Sequence, residues 1–131
     1  MPRLTVKNQV DAAVANGIFS ESELTRNGFV EDHNIILTTN KECGFKCVMC
    51  DLWKNTLDYK VEEGVIANQV ALALEQLPKA KHLKLYNAGS FFDLQSIPER
   101  DVYEIADLIA EYETLIVEAH PRLISTSCFE F

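Results

Sequence analysis

Three of the four cysteines in this chain lie close together in the sequence. Cys43, Cys47 and Cys50 are separated by three and then two residues, whereas Cys128 lies near the end of the chain. A thiolate is a soft ligand for zinc or iron, and this spacing lets one loop wrap three thiolates around a single inorganic centre. The residues therefore predict a metal centre with three cysteine ligands.

The identity of that centre leaves alternatives open. A structural zinc site normally has four protein ligands, and no second pair of closely spaced cysteines is available, so His33, His82 or Cys128 would have to complete it. The three cysteines could also be unrelated buried thiols. A [4Fe-4S] cluster is favoured, because it can be held by three thiolates with one iron left open for a further ligand.

Composition and charge limit the classes of protein to which the chain can belong. Its 131 residues are 47% hydrophobic and 24% charged, which is typical of a single globular domain. It contains no run of about 18 apolar residues and no apolar signal peptide, so we expect a cytoplasmic protein with no membrane contact. The net charge of −8 argues against an extended surface for nucleic-acid phosphates.

Short apolar runs alternate with helical patterns after residue 33. Strands are predicted at residues 34–39, 82–87 and 114–118, and amphipathic helices at 62–77 and 96–112. Ser96, followed by Pro98 and Glu99, predicts an N-cap for the second helix. Residues 6–16 predict a weaker helix, and residues 18–32 are expected to be irregular apart from a turn at residues 27–28.

Strands that alternate with helices of this length are expected to be parallel neighbours joined by right-handed crossovers, which makes the fold α/β. The loops after the carboxyl ends of parallel strands share one edge of the sheet. These loops hold residues 43–50, 87–90 and 118–121, so polar and metal-binding side chains are predicted to converge there.

The cysteine spacing, with Met49 just before the last cysteine, resembles the signature of the radical S-adenosylmethionine (SAM) superfamily. The resemblance implies that Cys43, Cys47 and Cys50 hold a [4Fe-4S] cluster whose fourth iron binds SAM. It also implies a partial (β/α)6 barrel and an electron donor such as flavodoxin or ferredoxin. Reductive cleavage of SAM would then give a 5'-deoxyadenosyl radical that abstracts hydrogen from a substrate.

The resemblance also implies residues that contact SAM. Members of the superfamily usually carry a glycine-containing motif after the second strand. Residues 87–90 lie at that place, although their sequence differs from the common form of the motif. The alternative is that they form a turn without a binding role. Glu118 is a further candidate at the end of the third strand, against the alternative of a solvated carboxylate. The implied SAM contacts are Met49, Asn87, Gly89, Ser90 and Glu118, and the catalytic residues are unknown.

The sequence segments at residues 84–93 and 118–122 resemble those of one branch of the superfamily. This branch includes the archaeosine synthase radical subunit and, more distantly, the elongator catalytic subunit. Those relatives act on tRNA, but the negative charge of this chain opposes tRNA binding, so the substrate is left as a small molecule or tRNA. His120 is a candidate proton donor on the substrate side, although a loop histidine is more often only polar cover.

The resemblance covers residues 34–131, as the first three β/α units of a core that needs about six, after an N-terminal helical or irregular extension at residues 1–33. We therefore expect a truncated chain whose open sheet edge is covered by a further segment or by oligomerisation. A zinc- or cluster-binding interaction module without catalysis is the alternative function.

Overall fold

A computed structural model describes residues 7–45, 50–125 and 128 of the chain. They form a four-stranded mixed sheet in the order β1-β2-β3-β4, with two α-helices. The strands are β1 (Gly17–Leu24), β2 (Val30–Leu37), β3 (His82–Tyr86) and β4 (Thr114–Val117). The helices are α1 (Val65–Gln76) and α2 (Glu99–Leu108), so the predicted α/β class is confirmed.

Strands β2, β3 and β4 are parallel neighbours, as predicted from the alternation of strands and helices. Leu37 at the end of β2 lies opposite Tyr86 at the end of β3, and Leu85 lies opposite Val117 at the end of β4. Since these carboxyl ends are nearly level, the loops that follow them leave the sheet at one edge.

The helices cover one face of the sheet because their apolar stripes match the alternate apolar residues of the strands. Leu83 and Leu85 of β3 are fully buried in one cluster with Ile36 of β2. The same cluster includes residues of both helices, among them Ile66, Val70, Ala73 and Ile105. This core fixes the positions at which the parallel strands end.

The N-terminal part of the sheet differs from the prediction. Residues 17–24, expected to be irregular, form β1, which pairs antiparallel with β2, so the sheet is mixed rather than wholly parallel. Gly28, with φ of +85°, lies in the connecting turn, in a conformation that favours glycine. The predicted boundary between residues 33 and 34 falls within β2, and β1 occupies the edge of β2 that faces away from β3.

The predicted helix at residues 6–16 is also wrong for residues 7–16, which contain no helix. Backbone groups of this segment bond to distant residues instead: Asn8 N donates to Lys54 O at 2.8 Å, and Asn16 N donates to Leu37 O at 2.7 Å. Val10 and Ala15 pack against the core. The apolar residues therefore reflect docking of an irregular segment and not one face of a helix.

The start of α2 corrects a further expectation. The helix begins at Glu99, and Pro98 rather than Ser96 is its N-cap residue. The fully buried Ser96 donates weakly to Lys41 O and Asp93 Oδ2, each at 3.4 Å, and so contacts the segment that follows β2. No helix among the described residues is long and apolar enough to span a membrane.

Candidate functional site

Three loops meet at the carboxyl edge of the parallel strands: the cysteine loop (residues 38–45 and 50–51), the glycine loop (residues 87–90) and the carboxylate loop (residues 118–120). They line a cavity of about 280 Å³. Its lining includes Cys43, Cys50, Gly89, Ser90, Glu118 and His120. The predicted convergence of the three loops is therefore observed.

The cysteine loop packs tightly against the glycine loop. A methyl group built on Gly89 would lie 3.0 Å from Cys43 Cβ and 3.5 Å from Cys43 Sγ. A contact of 3.0 Å is tighter than nine in ten contacts of a real Cβ, so any other residue at position 89 would require Cys43 to shift by a few tenths of an ångström. Position 89 thus favours glycine because of its neighbour, and not because of its own backbone angle.

Two of the three clustered cysteines can be placed. Cys43 and Cys50 both line the cavity and form no disulfide, whereas Cys47 and Met49 lie outside the described residues. Within the described ranges, no group of three or more His, Cys, Asp or Glu side chains is placed to hold a metal ion.

The glycine loop has an unusual backbone. Ala88 has φ of +53°, in the left-handed region that residues with a Cβ adopt at some cost in energy. Beside it, the fully buried Asn87 closes the turn, since its Nδ2 donates to Ser90 O at 2.7 Å. The side chain of Asn87 therefore shapes the loop.

Asn40 joins this loop to the cysteine loop. Its buried Nδ2 donates to Asn87 O and to Lys41 O, both at 2.9 Å, and its Oδ1 accepts from Thr38 Oγ1 at 2.8 Å. Sequence reasoning missed this residue. The only signal for it was its place directly after the first parallel strand.

Two buried oxygen atoms in the adjoining loops have no hydrogen-bond partner among the described residues: Asn87 Oδ1 and Glu118 Oε2. A third, Asn34 Oδ1, belongs to a side chain within β2 whose amide donates to Pro78 O and Tyr112 Oη. Burial of an acceptor without a donor is unfavourable, so a donor that reached these two oxygens would stabilise the loops.

The Glu118 carboxyl is perturbed by its surroundings. Burial raises its pKa above the ordinary value of 4.5, and backbone hydrogen bonds from Gly89 and Asn87 offset part of that rise by favouring the charged form. A cationic ligand beside the carboxylate would stabilise the charged form further.

His120 is held between two loops. Its backbone N donates to the buried Ser90 Oγ at 3.2 Å, and its Nδ1 accepts from Arg122 N at 3.2 Å. Its ring stacks on Phe45, with centroids 3.6 Å apart and planes inclined by 5°. No sequence pattern predicts this contact, because Phe45 lies among the cysteines and its aromatic partner is 75 positions away.

The other candidate zinc ligands lie elsewhere. His33 and His82 are paired across β2 and β3 and stack on each other, with centroids 4.5 Å apart. His82 starts β3, and four residues of strand, about 13 Å, separate it from the end next to the cysteine loop. Zinc–ligand bonds of about 2 Å cannot span that distance, so neither histidine can complete a site with Cys43. Cys128 Sγ accepts from Ser125 N at 3.3 Å and donates to Leu123 O at 3.6 Å.

Comparisons with protein-family models, with curated proteins and with solved structures found no match to this chain. The cysteine spacing and the geometry of the cavity therefore remain as the features that bear on function.

Proposed function

We propose that this chain is a radical SAM enzyme, or the N-terminal part of one. In this proposal Cys43, Cys47 and Cys50 hold a [4Fe-4S] cluster, and Met49, Asn87, Gly89, Ser90 and Glu118 bind SAM. The parallel strands β2, β3 and β4 would be the first three of a partial (β/α)6 barrel. The protein would act in the cytoplasm with flavodoxin or ferredoxin as electron donor, on a small molecule or a tRNA.

The observation that carries the proposal is the chemistry of the cavity. Cys43 and Cys50 lie on its wall together with Glu118, and the buried oxygens Asn87 Oδ1 and Glu118 Oε2 belong to the adjoining loops and have no donor among the described residues. The ammonium group of SAM would supply donors for these oxygens, and its ammonium and sulfonium groups would both supply positive charge beside the carboxylate. Two of the three proposed cluster ligands and a carboxylate on one cavity wall therefore support the proposal.

Each residue has a distinct part in this arrangement. The closeness of Gly89 to Cys43 would bring the SAM-binding backbone against the cluster ligand, while Asn40 holds the two loops at a fixed separation. Glu118 and Asn87 would orient the amino group. When bound, the cluster would supply the electron that cleaves SAM to methionine and a 5'-deoxyadenosyl radical.

Anaerobic reconstitution with iron and sulfide tests the proposal. We expect about four irons and four sulfides per chain, and production of 5'-deoxyadenosine on addition of SAM and dithionite. Cys43→Ala, Cys47→Ala and Cys50→Ala should each abolish both, whereas the matched control Cys128→Ala should keep both.

Two results would contradict the proposal in different ways. Binding of zinc without uptake of iron would point to a structural zinc module. A complete cluster that never cleaves SAM would point to a cluster-binding interaction module without catalysis.

A further inference from the structure

The stacked rings of Phe45 and His120 lie at the wall of the cavity. Both residues line it, and their centroid separation of 3.6 Å with nearly parallel planes is the geometry in which a flat ring covers another. The face of His120 is therefore already shaped to receive an aromatic ring.

The two rings are held very differently. The backbone of His120 is fixed by Ser90 Oγ, and its ring is fixed through Nδ1 by Arg122 N. The Phe45 ring has no hydrogen-bonding group, so its stack on His120 can be exchanged for a stack with another flat ring without the loss of a hydrogen bond.

The rest of the cavity suits the same kind of ligand. Its lining also includes Leu52, Trp53, Ala88 and Ala119, which are apolar, together with the polar side chains of Glu42, Ser90 and Glu118. In the neutral His120 ring, acceptance by Nδ1 leaves the proton on Nε2, which makes that atom a donor. A mostly apolar cavity with one stacking face, and with His120 Nε2 as a hydrogen-bond donor, is suited to a nucleobase. A nucleobase has a flat π face and acceptor nitrogens or oxygens at its edge.

We propose that His120 is the stacking platform for a purine base, which takes the place that Phe45 occupies in the ligand-free chain. The inference rests on the proposed function for its ligand class, because SAM contains adenosine. The base could belong to SAM or to a substrate, and both would present the same flat ring to His120.

Trp53 makes the inference testable without a cluster and without activity. It is the only tryptophan of the chain, and it lines the same cavity. Titration of the 131-residue chain with adenosine should therefore change Trp53 fluorescence saturably, whereas ribose alone should not. Absence of a saturable change with adenosine would overturn the proposal.

Substitutions at the two rings should have opposite effects. His120→Ala should weaken adenosine binding by at least about fivefold, the usual worth of a base–aromatic stack. His120→Phe, which keeps a flat ring, should stay within about threefold of the unchanged chain. Phe45→Ala should tighten binding by about threefold, because the competing ring is removed. Tyr103→Ala, which removes an exposed ring on α2, is the matched control and should change nothing.

The results separate this inference from the proposed function. Weaker binding in Phe45→Ala, or equal losses in His120→Phe and His120→Ala, would overturn the displacement of Phe45 or the stacking. Adenosine binding that depends on His120, in a chain that assembles no cluster, would keep the platform and reject the radical function. SAM cleavage by a chain in which His120→Ala leaves adenosine binding unchanged would do the reverse.

Competition identifies the source of the base in the reconstituted protein. SAM that displaces adenosine from the Trp53 signal would assign the platform to the adenine of SAM. SAM that binds together with adenosine would assign the platform to a purine of the substrate.

Discussion

The two ends of the parallel strands carry polar side chains that differ in how they are paired. At the amino side, His33 stacks on His82, Glu31 binds Lys81 at 2.8 Å, and Glu23 binds Lys84. At the carboxyl edge, buried oxygens of residues 87 and 118 have no donor among the described residues. One such oxygen lies at the amino side as well, Asn34 Oδ1, but it belongs to an uncharged amide whose Nδ2 already bonds to Pro78 O and Tyr112 Oη.

This difference indicates separate roles for the two regions. A network in which opposite charges meet each other is satisfied by the fold itself, and ion pairs at a surface add little stability. Buried acceptors without donors lower stability unless a ligand satisfies them. The carboxyl edge, and not the larger cluster of charges at the amino side, is therefore the place where a ligand is expected to bind.

The largest effect should come from the residue that joins the two loops of the site. Asn40→Ala removes the donor to Asn87 O and Lys41 O and leaves buried groups unpaired, so we expect a loss of about 3 kcal/mol in the free energy of unfolding. Urea unfolding measures it. Asn16→Ala is the control, because this exposed asparagine also donates to backbone oxygens. A similar loss of stability in Asn16→Ala would show that the buried hydrogen bonds of Asn40 contribute no more than exposed ones.

A smaller effect is expected where the cysteine and glycine loops touch. Gly89→Ala places a methyl group 3.0 Å from Cys43 Cβ, so the loops must move apart and unfolding should become easier by about 1 kcal/mol. If the proposed cluster forms, iron content should fall as well. Gly44→Ala, in the same cysteine loop but with no atom near its added methyl group, should leave iron content unchanged. Equal iron content in the two variants would show that the close contact between Gly89 and Cys43 is not needed for the cluster.

The smallest effect should be a contrast between two carboxyl groups as the pH changes. Hydrogen bonding to Lys81 is the main cause that lowers the pKa of Glu31. The ionised Glu31 side chain therefore stabilises the fold above pH 4.5, and this contribution is lost as the pH falls through the lowered pKa. Burial raises the pKa of Glu118, so the chain loses stability as the pH rises from 4.5 through the raised value.

Glutamine at either position removes the titration. Relative to the unchanged chain, Glu31→Gln should therefore lose stability above pH 4.5 and recover it in acid. Glu118→Gln should gain stability as the pH rises above 4.5. Thermal unfolding across this pH range measures both, and slopes of the same sign would show that the two ends of the strands do not differ in the way described.

The sequence was sufficient for the parts of the fold that local patterns determine. Apolar runs predicted β2, β3 and β4, and their parallel order placed the three loops at one edge. It was not sufficient for β1, where Ser20, Glu21, Ser22 and Glu23 form an exposed, mostly polar strand without an apolar run. The contacts of Asn40 and Phe45 were missed because their partners lie 47 and 75 positions away, and only the folded chain brings them together.

The antiparallel direction of β1 has a consequence for how this sheet could grow. Because β1 occupies the hydrogen-bonding edge of β2, another β/α unit can add in parallel only beside β4. Parallel strands can therefore be added on one side of the sheet only. The last strand of a closed barrel would lie beside β1 rather than beside β2. Unless β1 were displaced, the strands could curl into an open trough but could not close into a ring of parallel neighbours, which would leave the cavity accessible from the side.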